Sequence, residues 1–414
     1  MGDPRVAHRF GVVVVEPSRS PKSVYLIGAA TAFSLLGDQL LYSVLPSYYT
    51  ELGLEPIQVG IILSINRWIR LVTNRLAERL CRRLPLMLLI TLAFTLGSLL
   101  AFAYAFLRAF SLLLLARMLW GLSWSFIRQI GVMTVVDSAE EGRLGRMMGL
   151  YSGLSRTGSV VGNLGGAVGH DLLGFTVTLV IFGLSSLLAV PLGIASRRSV
   201  VQRNQGVERR TDSDDASWAL LMSGFVAGSV GPGLMMSTLG LLLASEIGRE
   251  IHVVGITVGV ASLTGLLLAG RWMGELLGAP AMGHLSDRIG RRTSICIFFS
   301  IGGCAMAAGG WQGDPVSLIG SVLVLFVCGV GATVALTAEA GSRGSRAVAS
   351  YSTASDFGSA VGPVLGWSTQ QVVVSSDLIL YLGSGLYLIG ALVAMRLERS
   401  QVVTAGKVRD DGPL

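Results

Sequence analysis

The chain has 414 residues, 51% of them hydrophobic and only 14% charged, with a mean hydropathy of +0.65. That balance excludes a water-soluble domain of this size. The net charge of +7 does not point to nucleic acid, because the positive residues sit in short links between long apolar runs. About twenty apolar residues make one membrane span, so the chain has room for twelve.

An N-terminal tail, 1–23, holds Arg5, Arg9, Arg19 and Lys22. Its apolar run Val12–Val15 is too short for a signal peptide. The predicted spans follow at 24–49, 56–74, 85–107, 110–134, 146–168 and 173–195, then at 218–245, 253–282, 293–312, 316–338, 346–370 and 376–396. The stretch 196–217 is polar, first basic and then acidic, and reads as the one real linker. It divides the chain into six-helix bundles at 24–195 and 218–396, with a polar C-terminal tail at 397–414. Alternate links and the two tails hold 24 of the 32 Lys and Arg, six lie within spans, and the remaining links hold only Arg108 and Arg249. This asymmetry predicts that both termini are cytoplasmic, in a plasma (inner) membrane protein.

The halves repeat one another. Tyr151, Ser152, Ser155, Gly158, Ser159, Val161, Gly162 and Gly166 recur 200 residues later as Tyr351, Ser352, Ser355, Gly358, Ser359, Val361, Gly362 and Gly366. A parallel duplication of six helices produces such a fixed offset. Glycines at i, i+4 and i+8 also make a smooth strip for another helix. Gly231-Pro232-Gly233 near the middle of the seventh span predicts a kink, because proline removes a helix hydrogen bond.

A charge at mid-membrane costs about 2.5–3.5 kcal/mol or more, so each one needs a partner or a purpose. Asp38, Glu275, Asp356, Arg67, Arg70, Arg117, Arg128, Arg156 and Arg271 qualify, on spans 1, 2, 4, 5, 8 and 11. At about 1.5 Å per residue, Asp38 and Arg117 reach similar depth and can meet. Two readings stand: a proton site tuned by an arginine, or a static ion pair. Arg67 matches Asp356 in depth, and Arg156 lies at the depth of Arg271 and somewhat deeper in the core than Glu275; Arg271 and Glu275 are also spaced to pair along one helix. Arg70 and Arg128 lie nearer the inner ends, where they either snorkel to water or face a cavity that attracts anions. Arg117, Trp120, Trp124 and Arg128 share one helix face, which is either a binding stripe with Arg67, Arg70 and Arg271 or ordinary packing. The four cysteines lack metal or disulfide spacing and read as packing residues. No cofactor or metal site and no catalytic triad is evident, so an enzyme is not expected.

Gly283-His284-Leu285-Ser286-Asp287-Arg288-Ile289-Gly290-Arg291-Arg292 links two apolar runs. It resembles the signature between the second and third helices of each half of the major facilitator superfamily, read here as a gating motif. An altered copy runs from Asn74 to Arg83 with Glu78, Arg79, Arg82 and Arg83; Asn74 and Cys81 stand for the glycines and Glu78 for the aspartate. Arg117-Met118-Leu119-Trp120-Gly121 resembles the family's fourth-helix R-x-x-x-G, whose arginine is linked with proton coupling. Gly358, Gly362, Pro363 and Gly366 resemble its antiporter signature; the first copy has Asn163 at the proline position.

The resemblance covers the chain after residue 23. It implies an all-α membrane protein of twelve helices in two pseudo-symmetric bundles, of drug/proton-antiporter-like type. It implies that spans 1, 4, 7 and 10 line a cavity, that span 2 packs on 11 and span 5 on 8, and that the halves rock in alternating access. On those contacts, Arg67–Asp356 and Arg156–Glu275 pairs are expected between bundles, with Asp287 bonded to a neighbouring helix N-terminus. The favoured function is proton-coupled export of small organic or amphiphilic molecules. Uptake or exchange of an organic anion is the alternative, and a non-transporting sensor or assembly factor is a third reading. The expected partners are a small-molecule solute, protons and the lipid bilayer, with no nucleic acid, and the expected state is a monomer.

Overall fold

The computed structural model describes residues 22–139, 143–200, 216–253, 256–373 and 375–397. Most of the N-terminal tail, of the linker and of the C-terminal tail lies outside them. Twelve helices occur among the described residues: α1 Lys22–Tyr48, α2 Pro56–Arg83, α3 Leu86–Phe106, α4 Phe110–Ser138, α5 Leu144–Leu173, α6 Phe175–Arg198, α7 Trp218–Ile247, α8 Val260–Ile289, α9 Arg291–Gln312, α10 Pro315–Ser342, α11 Ser345–Val373 and α12 Ser376–Ala394. Eight of them are long and apolar enough to cross a membrane. The other four are α2, α5, α8 and α11. They are as long as the rest, but they carry Arg67, Arg70, Arg156, Arg271, Glu275 and Asp356.

Those four helices make the seam. Helix α2 packs on α4 in its own half and on α11 in the other, while α5 packs on α1 and on α8. A helix flanked on both sides by protein can keep polar and small residues, which explains their low hydropathy. Within each half the glycine strips seat the first helix of that half. A methyl added at Gly158, Gly162 or Gly166 would meet α1 at Ala32, Gln39 or Leu40, and one added at Gly358, Gly362 or Gly366 would meet α7. The 200-residue repeat is thus a repeat of packing.

Several boundaries differ from the sequence reading. Helix α2 continues to Arg83 and α8 to Ile289, so the first basic motif lies on the last turns of α2, while the second spans the end of α8, the single residue Gly290 and the first turn of α9. Glu78, Arg79, Arg82, Arg83, Asp287 and Arg288 are exposed on these turns, while Ala77, Cys81 and Ser286 are buried. Gly290 alone joins α8 to α9, at φ +89°, a conformation that glycine adopts freely. Helix α8 starts at Val260, not at 253, because Glu250–Val253 and Ile256–Gly259 form a two-stranded antiparallel hairpin. The β-branched run Val253, Val254, Ile256, Thr257 and Val258 favours strand over helix. Proline sits at the first turn of α2 and of α10, where its missing N–H is harmless. Asp314 accepts from the Val316 and Ser317 amides at 3.0 Å to cap α10.

The end that carries the α2–α3, α4–α5, α8–α9 and α10–α11 links is basic. At the opposite end the bundles close on each other. Gly240 of α7 lies against Pro46 and Ser47 of α1, and Gly60 of α2 against Trp367 of α11. Asp171 at the end of α5 accepts from the Ser262 amide in the first turn of α8 at 3.0 Å. Arg249 binds Glu51, and it donates to Thr50 at 2.9 Å. Toward the basic end the seam opens. A methyl on Gly153 of α5 would still meet Leu276 of α8 at 3.3 Å, whereas Gly149 and Gly145 have nothing within 4 Å. The molecule is therefore closed at the opposite end and splayed at the basic end.

Candidate functional site

Asp38 and Arg117 form an ion pair in the N-terminal half, with Arg117 fully buried. Arg117 Nε also donates to the Ile62 carbonyl of α2 at 3.1 Å, and its Nη2 donates to the Tyr42 hydroxyl at 3.3 Å. The R-x-x-x-G spacing explains this reach. A methyl on Gly121 would strike the Asn66 backbone, so only glycine lets α2 come close enough for Arg117 to find the Ile62 carbonyl one turn away. The second oxygen of Asp38 accepts from Gln39 Nε2 at 3.0 Å, and Gln39 Oε1 accepts from Asn163 Nδ2 at 3.0 Å. Asn163, which stands where the second repeat has proline, is thereby bound into the network. The sequence marks Asn163 only as a departure from proline, and it does not single out Tyr42 or Gln39. Their signal was weak, since polar residues on α1 and α5 are common among the small residues of a seam.

The Tyr42 ring lies between two guanidinium groups, 5.6 Å from Arg117 and 5.4 Å from Arg67. Arg67 does not pair with Asp356 as depth alone suggested. It donates to the carbonyls of Pro232 on α7 and Ser359 on α11, both at 2.7 Å. Pro232 stands within a π-helical segment, Ser229–Met235. Having no N–H, it cannot serve the Gly228 carbonyl, which instead accepts from Ser359 Oγ at 3.2 Å. The kink expected from Gly231-Pro232-Gly233 takes this form.

Asp356 is held by Arg70, one turn along α2 from Arg67, at 2.7 Å, and by Arg128 of α4 at 3.6 Å. Depth estimates cannot separate two arginines three residues apart; the carbonyls of the broken helix decided the matter. On the other seam Arg156 reaches Glu275 at 2.8 Å, and Arg271 lies 4.0 Å from the same carboxylate. The structure thus contains both the cross-bundle contact and the i, i+4 contact. The Trp272 ring lies 4.4 Å from the Arg156 guanidinium and 4.3 Å from that of Arg271.

The tryptophan stripe separates into different surroundings. Trp120 is buried in the contact with Gly97 of α3 and stacks on Trp124 at 6.2 Å, so this part of the α4 face serves packing. Near the basic end Glu78 pairs with Arg82 at 2.8 Å on the exposed flank of α2, where Arg79 and Arg83 are also exposed. Gly283 rests against Val334 of α10. Asp287, like Arg288, is exposed, and among the described residues it accepts no hydrogen bond. The bond expected to a neighbouring helix N-terminus is absent because the seam is splayed at that end. Arg291 lies 3.8 Å from Glu339 of α10, which also binds Arg343 at 2.9 Å; Arg292 completes the basic turn. Glu339 and the Asp137–Arg197 pair, at 2.7 Å, fell just outside the predicted spans and went unnoticed as buried charges. All four cysteines are free thiols. Among the described residues no group of His, Cys, Asp or Glu could hold a metal ion.

The family model of the Major Facilitator Superfamily matches residues 27–273. The chain belongs to this superfamily. No curated protein matches it. Among solved structures it resembles a POT family transporter in complex with 5-aminolevulinic acid, at 10% identity and a TM-score of 0.74, over 92% of this chain and 96% of that one. It also resembles a bacterial homolog of the human lysosomal transporter Spinster in an inward-facing, occupied conformation, at 13% identity and a TM-score of 0.73, over 92% and 97%. The nucleoside transporter NupG gives 12% identity and a TM-score of 0.68, over 91% and 99%. At these identities the likeness is one of fold: this superfamily member shares the transporter architecture of all three.

Proposed function

We propose that this superfamily member is a secondary transporter in which all twelve helices cross the membrane and Asp38 carries the coupling proton. The observation that carries the reading is the sealed Asp38–Arg117 pair and its connection to the other bundle. A proton on Asp38 cancels its attraction for Arg117, so protonation and the ion pair exclude each other. Arg117 shares the Tyr42 ring with Arg67, and Arg67 grips the π segment of α7 and the backbone of α11. Proton arrival can therefore be felt at the seam that must open and close.

The solute is a small organic or amphiphilic molecule, and the proposed direction is export. The excess of positive links at the basic end supports a cytoplasmic orientation for it, and this is the splayed end, where a solute would load. One neighbour of the same fold holds 5-aminolevulinic acid, a small organic molecule. The four seam helices that fall short of the hydropathy of a lipid-facing span are accommodated because protein covers them. The test is flux in liposomes under an imposed pH gradient. Wild type moves solute with the gradient; Asp38→Asn folds and binds but loses the gradient's drive. Full gradient-driven flux by Asp38→Asn would remove the proton assignment.

A further inference from the structure

Six arginines and three acids lie within the predicted spans, and Asp38 with Arg117 accounts for one of each. Arg67 is occupied by two carbonyls. What remains is two carboxylates, Glu275 and Asp356, each shared by two guanidinium groups. Both groups line the interface between the bundles, one where α11 meets α2 and α4 and the other where α8 meets α5. Neither seam is neutral, and Arg67 adds a third uncompensated charge.

Among the described residues some donors in this zone have no hydrogen-bond partner: Arg271 Nη1, Arg70 Nε and the indole N–H of Trp272. Unmatched buried donors of this kind are costly unless something occupies them in another state of the protein. Two of the four guanidinium groups are also reachable. The Arg128 side chain is 47% exposed and that of Arg156 is 38% exposed, on the splayed side of the seam. Glu275 and Asp356 are partly exposed beside them.

We infer that this zone is the binding site of a soluble organic polyanion bearing carboxylate or phosphate groups, which enters from the basic end. Its anionic groups take the places that Glu275 and Asp356 hold in the empty protein. The two resident carboxylates bridge the bundles, Asp356 to α2 and α4 and Glu275 to α5. A ligand that displaces them both neutralises the surplus charge and releases the two seams for rocking. Arg128 and Arg156 make the first contact; Arg70 and Arg271 follow as the carboxylates withdraw. The inference rests on the transporter reading but names the class of its solute.

Equilibrium binding to the purified full chain in detergent tests it. The probe is the trisulfonated dye pyranine, followed by fluorescence anisotropy, with citrate as competitor and ethidium as a cationic control at matched ionic strength. Saturable pyranine binding, competed by citrate and absent for ethidium, is expected. Arg156→Gln and Arg271→Gln each weaken it about tenfold, the loss of one charge-assisted contact. Glu275→Gln and Asp356→Asn each tighten it several-fold, because the internal competitor is gone. Carboxylates that merely hold the fold predict unchanged or weaker binding in both variants, and that result overturns the inference. Should one variant not fold, the other seam's variant decides. Competition by dihexanoyl phosphatidylglycerol but not by citrate overturns the soluble-solute assignment in favour of a lipid headgroup. Binding does not depend on Asp38, so failure of gradient-driven flux alone leaves this result intact.

Discussion

Arg67 of the first bundle donates to the carbonyl of Pro232 in the second at 2.7 Å. This hydrogen bond ties the π-helical break of α7 to the arginine that shares the Tyr42 ring with the buried ion pair. Pro232→Ala should restore a regular α7, since proline in a helix interior costs about 3 kcal/mol. The expected result is a higher melting temperature in detergent together with slower flux in liposomes. Faster or unchanged flux would mean that the π segment is not a hinge.

Removing Asp38 leaves the Arg117 charge buried with only the neutral Ile62 carbonyl and Tyr42 hydroxyl as partners. Asp38→Asn should cost about 3–5 kcal/mol of stability, and Asp38→Asn combined with Arg117→Met should recover most of it. The double variant should remain without pH-gradient-driven flux. Thermal unfolding and flux, measured on the same preparations, separate the structural part of this pair from its function.

At the seam between α5 and α8, Arg156→Glu should impair transport, and adding Glu275→Arg should restore a substantial part of it. The cross-bundle geometry at 2.8 Å is symmetric to such an exchange. Arg271 would then face an arginine at i+4, so recovery is expected to be partial. No recovery would assign Glu275 to its own helix rather than to the seam.

Glycine tests the packing argument directly. Gly121→Ala pushes α2 away from α4 and should cost about 1–3 kcal/mol, seen as a lower melting temperature. Gly274→Ala on α8, where nothing lies within 4 Å, should be neutral or stabilising. Equal effects at the two positions would contradict the close α2–α4 approach.

Removing the latch at the closed end should shift the conformational balance. Asp171→Ala deletes the acceptor that caps α8 from across the seam, and Glu51→Ala releases Arg249. Together they should raise labelling of a cysteine placed at Ser47 by a membrane-impermeant thiol reagent added from that side. Unchanged labelling would show that apolar contacts such as Gly240 with Pro46 hold that end shut by themselves.

How much of this was legible in one dimension depends on the length scale of the interaction. Apolar runs of span length, the 200-residue repeat and the sorting of positive charge are properties of the chain itself, so twelve helices in two related halves could be read before any contact was known. Residue depth also survives in sequence, because each helical residue advances about 1.5 Å; that is why Asp38 could be matched with Arg117 and Arg156 placed near Glu275. Rotation about the helix axis does not survive. It is set by neighbours, so only the tertiary structure decided that Arg70 and not Arg67 faces Asp356, that Trp120 serves packing, and that Asn163 closes a network through Gln39. The open and closed ends were likewise undecidable from sequence, since the same helices must satisfy both arrangements with small differences in contact energy.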